Sequence, residues 1–297
     1  MAVFNLGSIN ADLFYQVPHL LAPGETLAST EHSRGLGGKG ANMSVAIARA
    51  ASRVAHIGAV GAVGAVGSDG RWAVERLLEY GVDTRSIVEM DVQTGHAVIM
   101  VDDHGENAIL LFPGANRALT ETHIADALET ATEADTFLFQ NETSAQIEGA
   151  THASAKGMRV VYAAAPFDAV AVQAVLPLLD ILVMNAVEAQ QLTDATGLAL
   201  ADLPVRDVIV TLGGDGCRWI NTDNGTDQSF PAIPVTPVDT TGAGDTFTGF
   251  LVAALDRGLP MEQAISLGQQ AGAIMVTRQG TADVIPDLKD VQDARLG

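Results

Sequence analysis

Apolar and polar positions follow two different periods along most of the chain. Short apolar runs with few internal charges are typical of strands that are buried on both faces of a parallel sheet. Such runs lie at 3–7, 53–58, 136–140, 159–163, 181–185 and 207–212. Apolar residues with helical spacing occupy 41–51, 72–80, 121–131, 144–155 and 186–195, mostly between these runs. The alternation predicts βαβ units and hence an α/β fold with an open, doubly wound, mostly parallel sheet.

Two segments, 12–34 and 95–112, break this alternation because they carry strand patterns without a helix between them. The second contains a polar stretch with Gly105 between two apolar runs, which is typical of a hairpin turn. We expect both segments to form a small β lid inserted into a single α/β domain over 1–297, since no Pro-, Ser- or Gly-rich linker divides the chain. Two helical patterns, at 243–257 and 261–278, close the C-terminal part.

The chain has 297 residues and is strongly acidic, with 36 Asp and Glu residues against 16 Lys and Arg residues and a formal net charge of −20. An acidic surface repels phosphate backbones and anionic lipids, so we expect neither a nucleic acid nor a membrane partner. The single cysteine, Cys217, excludes an internal disulfide and a cysteine-based zinc site. The first residues contain no basic segment followed by an apolar run, so we expect a cytoplasmic protein. Lysine is found only at Lys39, Lys156 and Lys289, which fits a salt-rich cell and a GC-rich genome equally well.

A glycine-rich stretch at 35–42 has the form of a phosphate loop but lacks its context. Its glycines match the spacing of a dinucleotide-binding turn, but no apolar strand precedes them and no acidic residue follows at the required distance. Lys39 is followed by glycine rather than by Ser or Thr, so the Walker A pattern also fails. What remains is Lys39 and Asn42 on a glycine-flanked turn that opens a helix. This arrangement suits hydrogen bonding to a small polyhydroxylated ligand and argues against a dehydrogenase.

A second stretch, at 239–247, places small residues and an aspartate where a helix begins. The first amides of a helix have no partner within the helix, and the helix dipole favours an anion there. The amides around Ala243 and the carboxylate of Asp245 would therefore face one point. Phosphoryl transfer needs donors around the transferred group and a carboxylate that removes a hydroxyl proton. An acid in the first helical turn also has a purely structural explanation, but we favour the catalytic interpretation.

Three further motifs are weaker. The glycine turn at 211–216 directly follows a strand and is compatible with an ordinary hairpin. Asn185 and Glu188 have the spacing of a helix capping box, and the same oxygens suit hydrated Mg²⁺, so both interpretations stay open. The repeat GAVGAVGAVG at 58–67 is either a loop that tolerates changes of length or a phosphate loop.

These motifs, in this order, resemble those of the ribokinase family of sugar kinases, also called the PfkB group. The resemblance covers nearly the whole chain. It rests on the motifs at 7–12, 23–26, 37–42, 105–107, 114–116, 185–188, 211–213 and 239–247. One such motif would be modest evidence, but their common order is specific.

The resemblance implies a kinase that transfers the γ-phosphoryl group of ATP to the primary hydroxyl of a pentose such as ribose, with Asp245 as general base. The implied anion hole consists of the amides of Gly242, Ala243 and Gly244. The implied sugar-binding residues are Asn10, Asp12, Gly38, Lys39, Asn42 and Glu142. The implied nucleotide-binding residues are Asn185, Thr211, Gly213, Gly216 and Gln269. Asn185 and Glu188 would hold Mg²⁺ through water, and a monovalent cation such as K⁺ would lie at Asp239, Thr241, Met275, Arg278 and Gly280.

The chain departs from the family pattern at places that bear on its substrate and ions. Val284 stands where a serine would complete the cation shell. Leu111 and Phe112 in the lid are bulkier than expected, and either could close over an apolar part of the substrate. A nucleoside kinase acting on the 5′-hydroxyl is therefore the alternative function. A non-catalytic sugar sensor is a second alternative, against which Asp245 argues because a sensor needs no base. The lid also implies a homodimer.

Overall fold

The computed structural model describes residues 1–62 and 70–294. Its strands are β1 (Val3–Leu6), β2 (Asn10–Gln16), β3 (Glu31–Gly37), β4 (Val54–Gly61), β5 (Ile87–Met90), β6 (Gly95–Val101), β7 (Asn107–Phe112), β8 (Thr136–Gln140), β9 (Arg159–Ala163), β10 (Ile181–Asn185), β11 (Asp207–Thr211), β12 (Cys217–Asn221) and β13 (Thr226–Phe230). Its helices are α1 (Lys39–Arg49), α2 (Arg71–Glu79), α3 (Glu121–Ala127), α4 (Gln146–Ala155), α5 (Ala169–Val175), α6 (Ala186–Thr196), α7 (Ala243–Asp256), α8 (Met261–Met275) and α9 (Leu288–Asp293). Residues 63–67 of the GAV repeat, for which a phosphate loop was one interpretation, lie outside the described residues.

Nine strands form the main sheet in the order β13-β12-β11-β10-β9-β8-β1-β4-β5. The two pairs β11–β12 and β12–β13 are antiparallel, and the other pairs of this sheet are parallel. The predicted apolar runs correspond to β1, β4, β8, β9, β10 and β11. The predicted α/β fold with a mostly parallel sheet is therefore confirmed.

Successive strand positions point to opposite faces of the sheet, and each face packs against its own helices. On β8, Leu138 belongs to a core cluster that includes residues of α1, α7 and α8. Its neighbours Phe137 and Phe139 point the other way and pack with residues of α3, α4, α5 and α6. Because both faces are buried, the strands carry apolar runs rather than an alternating pattern.

The second sheet has four strands in the order β3-β2-β6-β7 and forms the predicted lid. β2 pairs antiparallel with β3 and parallel with β6, and β6 and β7 form an antiparallel hairpin. Asp102 fixes the hairpin turn, since its Oδ1 accepts the amides of His104 and Glu106 at 2.8 and 3.0 Å. The first lid segment is a strand only near its ends, with a loop between Gln16 and Glu31.

Some elements differ from the predictions. No helix is predicted at 169–175, where Ala and Val dominate, yet α5 forms there and Asp168 caps it by accepting the amide of Ala171 at 2.8 Å. The short strands β5, β12 and β13 are also absent from the predicted set. α3 and α8 end at Ala127 and Met275, before the predicted ends at 131 and 278. Within residues 1–62 and 70–294, no helix is both long and apolar enough to span a membrane.

Candidate active site

A cavity of about 710 Å³ lies at the carboxyl ends of β9, β10 and β11 and at the N-terminus of α7. Open α/β sheets bind their ligands at this edge. The candidate residues in its lining are Lys39, Asn185, Glu188, Thr211, Gly213, Gly216, Gly242, Ala243, Gly244, Asp245 and Gln269. The remaining candidate sugar-binding residues lie beside it, where β2, the start of α1 and the end of β8 meet: Asn10, Asp12, Gly38, Asn42 and Glu142. Lys39 and Asp245 stand at the junction of the two regions.

Asp245 lies in the first turn of α7 and is only 6% exposed. Its Oδ2 accepts a hydrogen bond from Nδ2 of Asn42 at 2.9 Å, and Nζ of Lys39 is 3.9 Å from its Oδ1. The Oδ1 atom of Asn42 is buried and has no hydrogen-bond partner in the part of the chain that the structure describes. A buried acceptor of this kind needs a donor, and a ligand hydroxyl would supply one beside the carboxylate.

The turn before Asp245 contributes backbone N–H groups to the cavity lining. Gly242 precedes the helix with φ of +73°, a conformation that favours glycine. The amides of Gly242 and Gly244 have no acceptor among the described residues, whereas the amide of Ala243 donates to the carbonyl of Thr240 at 3.3 Å. An anion at this turn would therefore meet two unpaired donors and a third that makes only a long hydrogen bond.

Two more carboxylates lie on the lid side of Asp245. A Cβ atom on Gly37 would collide with the carboxylate of Asp12, so only glycine leaves room for this side chain. Glu142 accepts the hydroxyl of Ser8 and, at 3.0 Å, the amide of Lys39, both through Oε2. The structure thus brings together three parts of the predicted site: Asp12 on β2, the glycine turn that begins α1 with Lys39, and Glu142 just after β8.

Asn116 is a residue of this region that is missing from the predicted site. It is buried, its Oδ1 accepts the amide of Ile9 at 2.9 Å, and its Nδ2 donates to Oδ1 of Asn10 at 2.8 Å. It therefore fixes the orientation of the Asn10 side chain. The motif Gly-Ala-Asn at 114–116 was part of the family resemblance, and this is the signal that could have identified it.

The electrostatics of the site are set by carboxylates crowded around one cation. Burial, with smaller effects from the charges of Glu142 and Asp245, raises the pKa of Asp12 to about 7. Burial also raises the pKa of Glu142. The charge of Asp245 raises the pKa of Lys39. Without a ligand, Lys39 is therefore charged, and Asp12 binds its proton much more tightly than an exposed aspartate.

The other end of the cavity is formed by glycine turns and an apolar wall. Gly213 and Gly216 have φ of +57° and +103°, and a Cβ on Gly216 would collide with the carbonyl of Phe230. Thr211, at the end of β11, also lines this end. Nε2 of Gln269 donates to the carbonyls of Phe230 and the following residue at 3.3 and 3.2 Å, so it holds the end of β13 against α8.

The apolar wall is missing from the sequence-based prediction because its residues, from the loop after β13 and the end of α8, carry no polar side-chain groups and form no motif. Its members are Ala232, Ile233, Pro234, Val235, Pro237, Ala273 and Val276. A predominantly apolar wall with few polar groups is typical of a pocket for a flat ligand moiety, and it would suit the base of a nucleotide.

Asn185 and Glu188 form the capping box that was one of their two interpretations. The amide of Glu188 donates to Oδ1 of Asn185 at 2.9 Å, and the amide of Asn185 donates to Oε2 of Glu188 at 2.8 Å. Burial raises the pKa of Glu188. Within residues 1–62 and 70–294, no three His, Cys, Asp or Glu side chains gather as direct metal ligands. Both residues line the cavity and fit an ion that keeps most of its water, so the Mg²⁺ role stays a prediction.

The residues implied for a monovalent cation lie on two parts of the chain that contact each other, the loop before α7 and the end of α8 with the loop after it: Asp239, Thr241, Met275, Arg278 and Gly280. The two carboxylate oxygens of Asp239 accept the amides of Thr241 at 2.9 Å and Gly280 at 3.2 Å. Both methyl groups of Val284 lie 3.5 Å from the position of a Cβ on Gly280. An aliphatic side chain thus stands where a further oxygen ligand was expected, so these residues form an incomplete shell. Binding of K⁺ stays a prediction, and we assign it no step of the reaction.

Leu111 and Phe112, the two bulky residues of the lid hairpin, point to opposite faces of the lid sheet. Asp12, Ala97 and Leu111 are direct neighbours in the register of β2, β6 and β7, so their side chains share one face. Phe112 is one position further along and points to the other face, where its ring lies 5.1 Å from that of His96. Leu111, and not Phe112, is therefore on the side of the carboxylates.

Comparisons with known proteins find relatives over nearly the whole chain. The model of the pfkB family of carbohydrate kinases matches residues 2–288. A ribokinase of Haemophilus influenzae is 35% identical over 294 residues, which cover 95% of this chain and 94% of that protein. The crystal structure of a ribokinase from Thermotoga maritima is 31% identical, covers 98% of both chains and superposes with a TM-score of 0.87. The structure of Arabidopsis thaliana ribokinase complexed with ribose and ATP is 28% identical, again covers 98% of both chains, and has a TM-score of 0.85.

The fold, the order of the motifs and these matches over nearly the whole length confirm the predicted resemblance. The chain belongs to the pfkB family of carbohydrate kinases and is a phosphotransferase that acts on a hydroxyl group.

Proposed function

We propose that the protein transfers the γ-phosphoryl group of ATP to the primary hydroxyl of a free pentose, with ribose as the first candidate. The observation that carries this proposal is the position of Asp245. Its buried carboxylate stands between the large cavity and the residues under the lid, within 2.9 Å of Asn42 and 3.9 Å of Lys39. One carboxylate thereby borders a volume suited to a nucleotide and a cluster of polar groups suited to a sugar.

In this reaction Asp245 takes the proton of the sugar hydroxyl as the oxygen forms its bond to the γ-phosphorus. The bond between this phosphorus and the β–γ bridging oxygen breaks, and ADP leaves. The amides of Gly242, Ala243 and Gly244 stabilise the charge on the transferred group, and Lys39 adds a positive charge beside it. Catalysis of this kind comes mainly from positioning and charge stabilisation.

The polar residues under the lid would bind the sugar. Ionised Asp12 accepts hydrogen bonds through two oxygens and so suits a pair of neighbouring hydroxyls. Glu142 uses Oε2 for contacts within the protein, which makes Oε1 the atom for a sugar hydroxyl. Asn10 and Asn42 complete the set, together with the glycine turn at Gly38.

The nucleotide would occupy the cavity with its base on the apolar wall and its phosphates toward α7. ATP as donor is supported by the complex of the Arabidopsis thaliana relative with ribose and ATP. Asn185 and Glu188 would hold Mg²⁺ through water, and the ion would neutralise charge on the phosphates.

A coupled assay of ADP release tests the proposal directly. MgATP is supplied with ribose, deoxyribose, fructose or one of several nucleosides, each with and without K⁺. Turnover on free pentoses supports the proposal, and turnover on nucleosides alone would overturn it in favour of the alternative function. Turnover on no acceptor would support a sugar sensor.

The alternative, a nucleoside kinase acting on the 5′-hydroxyl, is favoured by one observation. Leu111 shares the face of Asp12 and is 46% exposed, so an apolar surface stands over the sugar side of the site. A nucleobase would cover it, whereas a free pentose would cover only part of it. Competition between ribose and adenosine or cytidine separates the two functions.

A further inference from the structure

Four buried polar side chains form a cluster directly beneath the glycine turn of the sugar site. Asn5 on β1 and His56 on β4 are neighbours in the sheet register. Ser44 on α1 and Gln140 at the end of β8 complete the cluster, and all four residues are fully buried. Buried polar groups are costly unless they are hydrogen-bonded. None of the four belongs to the site described above, so their presence in this core needs an explanation.

With a neutral imidazole, the hydrogen bonds of the cluster have one consistent arrangement of protons. Nε2 of His56 lies 3.1 Å from the carbonyl oxygen of Gly7, which can only accept, so Nε2 carries the proton. Nδ1 of the neutral ring then accepts from the hydroxyl of Ser44 at 2.8 Å. Ser44 Oγ in turn accepts from Nδ2 of Asn5 at 2.8 Å. Oδ1 of Asn5 accepts from Nε2 of Gln140 at 2.8 Å.

This arrangement requires an uncharged imidazole. Burial lowers the pKa of His56 to about 4, so the ring is neutral at physiological pH. The space for the ring depends on Gly58, since a Cβ there would lie 2.7 Å from Nε2 of His56.

The two remaining N–H groups of the cluster donate to backbone carbonyls. These carbonyls belong to two glycines that are in close contact with each other. His56 donates to Gly7, and the second hydrogen of the Asn5 amide goes to the carbonyl of Gly40 at 2.8 Å. A Cβ on either glycine would collide with the backbone of the other. The amide of Ala41 also donates to the carbonyl of Ser8 at 2.9 Å. The cluster thus fixes the distance between the chain leaving β1 and the chain entering α1.

These two backbone segments, together with the end of β8, carry the residues that would bind the sugar. The segment after Gly7 leads into β2 with Asn10 and Asp12. The turn before Gly40 holds Gly38 and Lys39, and Glu142 follows Gln140 by two residues. A change in the relative position of the three segments would move these groups apart.

We propose that the neutral hydrogen-bond network of Asn5, Ser44, His56 and Gln140 positions the acceptor site, acting through the backbones of Gly7 and Gly40. This proposal rests on the proposed function, because it takes a sugar to be the phosphoryl acceptor. The four residues are positioning residues, because none of them would touch the substrate.

Two variants separate positioning from a general contribution to stability. His56→Phe leaves the Ser44 hydroxyl and the Gly7 carbonyl buried without this partner, which lowers stability. The triple variant N5V/S44A/H56F replaces three of the four network side chains by apolar groups and leaves the buried amide of Gln140 without Asn5, so it should restore part of that stability. We expect the KM for D-ribose to be about tenfold higher in the triple variant than in the wild type, even where stability is regained. The reason is that small misplacements of binding groups are costly. The KM for MgATP should stay near the wild-type value.

Trp219→Phe is the matched control, since it removes a buried hydrogen bond of 2.8 Å to Asp207 at the amino end of β11. It should lower the free energy of unfolding without changing the KM for ribose. The proposal is overturned if the triple variant regains the wild-type KM together with its stability, or if the control raises the KM equally.

Amide hydrogen exchange of the free proteins gives a readout that needs no turnover. Exchange over 7–10 and 38–42 should be faster in the triple variant than in the wild type, with 181–185 unchanged. If the wild type phosphorylates no acceptor, the proposed function fails, and exchange alone decides the positioning proposal. Unchanged exchange over both segments would then overturn it.

Discussion

At the scale of single residues, Asp245 can serve as a base only while its carboxylate is held at the acceptor hydroxyl. Asn42 and Lys39 provide that orientation. Asp245→Asn keeps the size of the side chain but removes the basic oxygen. We expect kcat to fall by about 10²–10⁴, the usual contribution of a general base, with nucleotide affinity near the wild-type value because the apolar wall is unchanged. Steady-state ADP release and calorimetric titration with ATP measure the two quantities.

Asp256→Asn is the control for this variant, because Asp256 is equally buried and lies at the opposite end of the same helix. It should leave kcat close to that of the wild type. An Asp245→Asn enzyme with nearly normal turnover would contradict the assignment of the base.

The protonation of Asp12 predicts a pH dependence of sugar binding. Its pKa is raised to about 7, chiefly by burial. The ionised form accepts hydrogen bonds from two hydroxyls, and the protonated form accepts fewer. The KM for the sugar should therefore fall as the pH rises through 7, by up to about tenfold between one unit below and one unit above this pKa.

Asp12→Asn cannot ionise, so its KM should be high and nearly independent of pH over the same range. The KM for MgATP in the wild type serves as the control. A sugar KM that is equally pH-dependent in the wild type and in Asp12→Asn would assign the titration to another group.

The residues that carry motifs could be predicted from the sequence, but their environments could not. Asp245 and Lys39 stand in short stretches whose glycines and helix starts suggest ligand binding. Nothing in the stretch around Asp12 indicates that Glu142 lies close enough to affect its pKa, because the two are far apart in the chain. Asn5 and His56 resemble ordinary polar residues in apolar strands until the register places them side by side.

At the scale of elements, the lid sheet predicts a change on sugar binding. It meets the rest of the molecule at a few places, one of which is the guanidinium of Arg34, 4.3 Å from the ring centre of Trp72 on α2. A sugar under Asp12 would contact the lid and exclude water from the transferred phosphoryl group. Ribose should therefore slow amide exchange over 95–112. The hairpin of β12 and β13 should be unaffected by ribose alone, and unchanged exchange over 95–112 would count against lid closure.

Elements with a strong local signal could be predicted from the sequence, and elements that depend on distant partners could not. Buried parallel strands such as β8 carry uninterrupted apolar runs, so they could be located closely. α5 was missed because its residues are mostly Ala and Val, and its N-terminal signal is a single capping residue, Asp168. β13 was missed because most of its residues are exposed and polar, and its position depends on pairing with β12.

At the scale of the whole molecule, the net charge of −20 and an apolar strand at the edge of the lid act in opposite directions on self-association. Exposed apolar residues occupy the last positions of β7: Ile109, Leu110, Leu111 and Phe112. An exposed, apolar edge strand is a site for pairing with another chain, whereas like charges on two copies repel each other. We therefore expect a homodimer through the lid that becomes more stable as salt screens the repulsion.

Sedimentation equilibrium at low and high salt measures this association. Leu110, which is 71% exposed, is the residue to change, and Leu110→Lys should shift the equilibrium to monomer at both salt concentrations. Val170→Lys is the control, since Val170 is 77% exposed on α5, outside the lid, and should leave the dimer intact. A wild type that stays monomeric at every salt concentration would contradict the expected dimer.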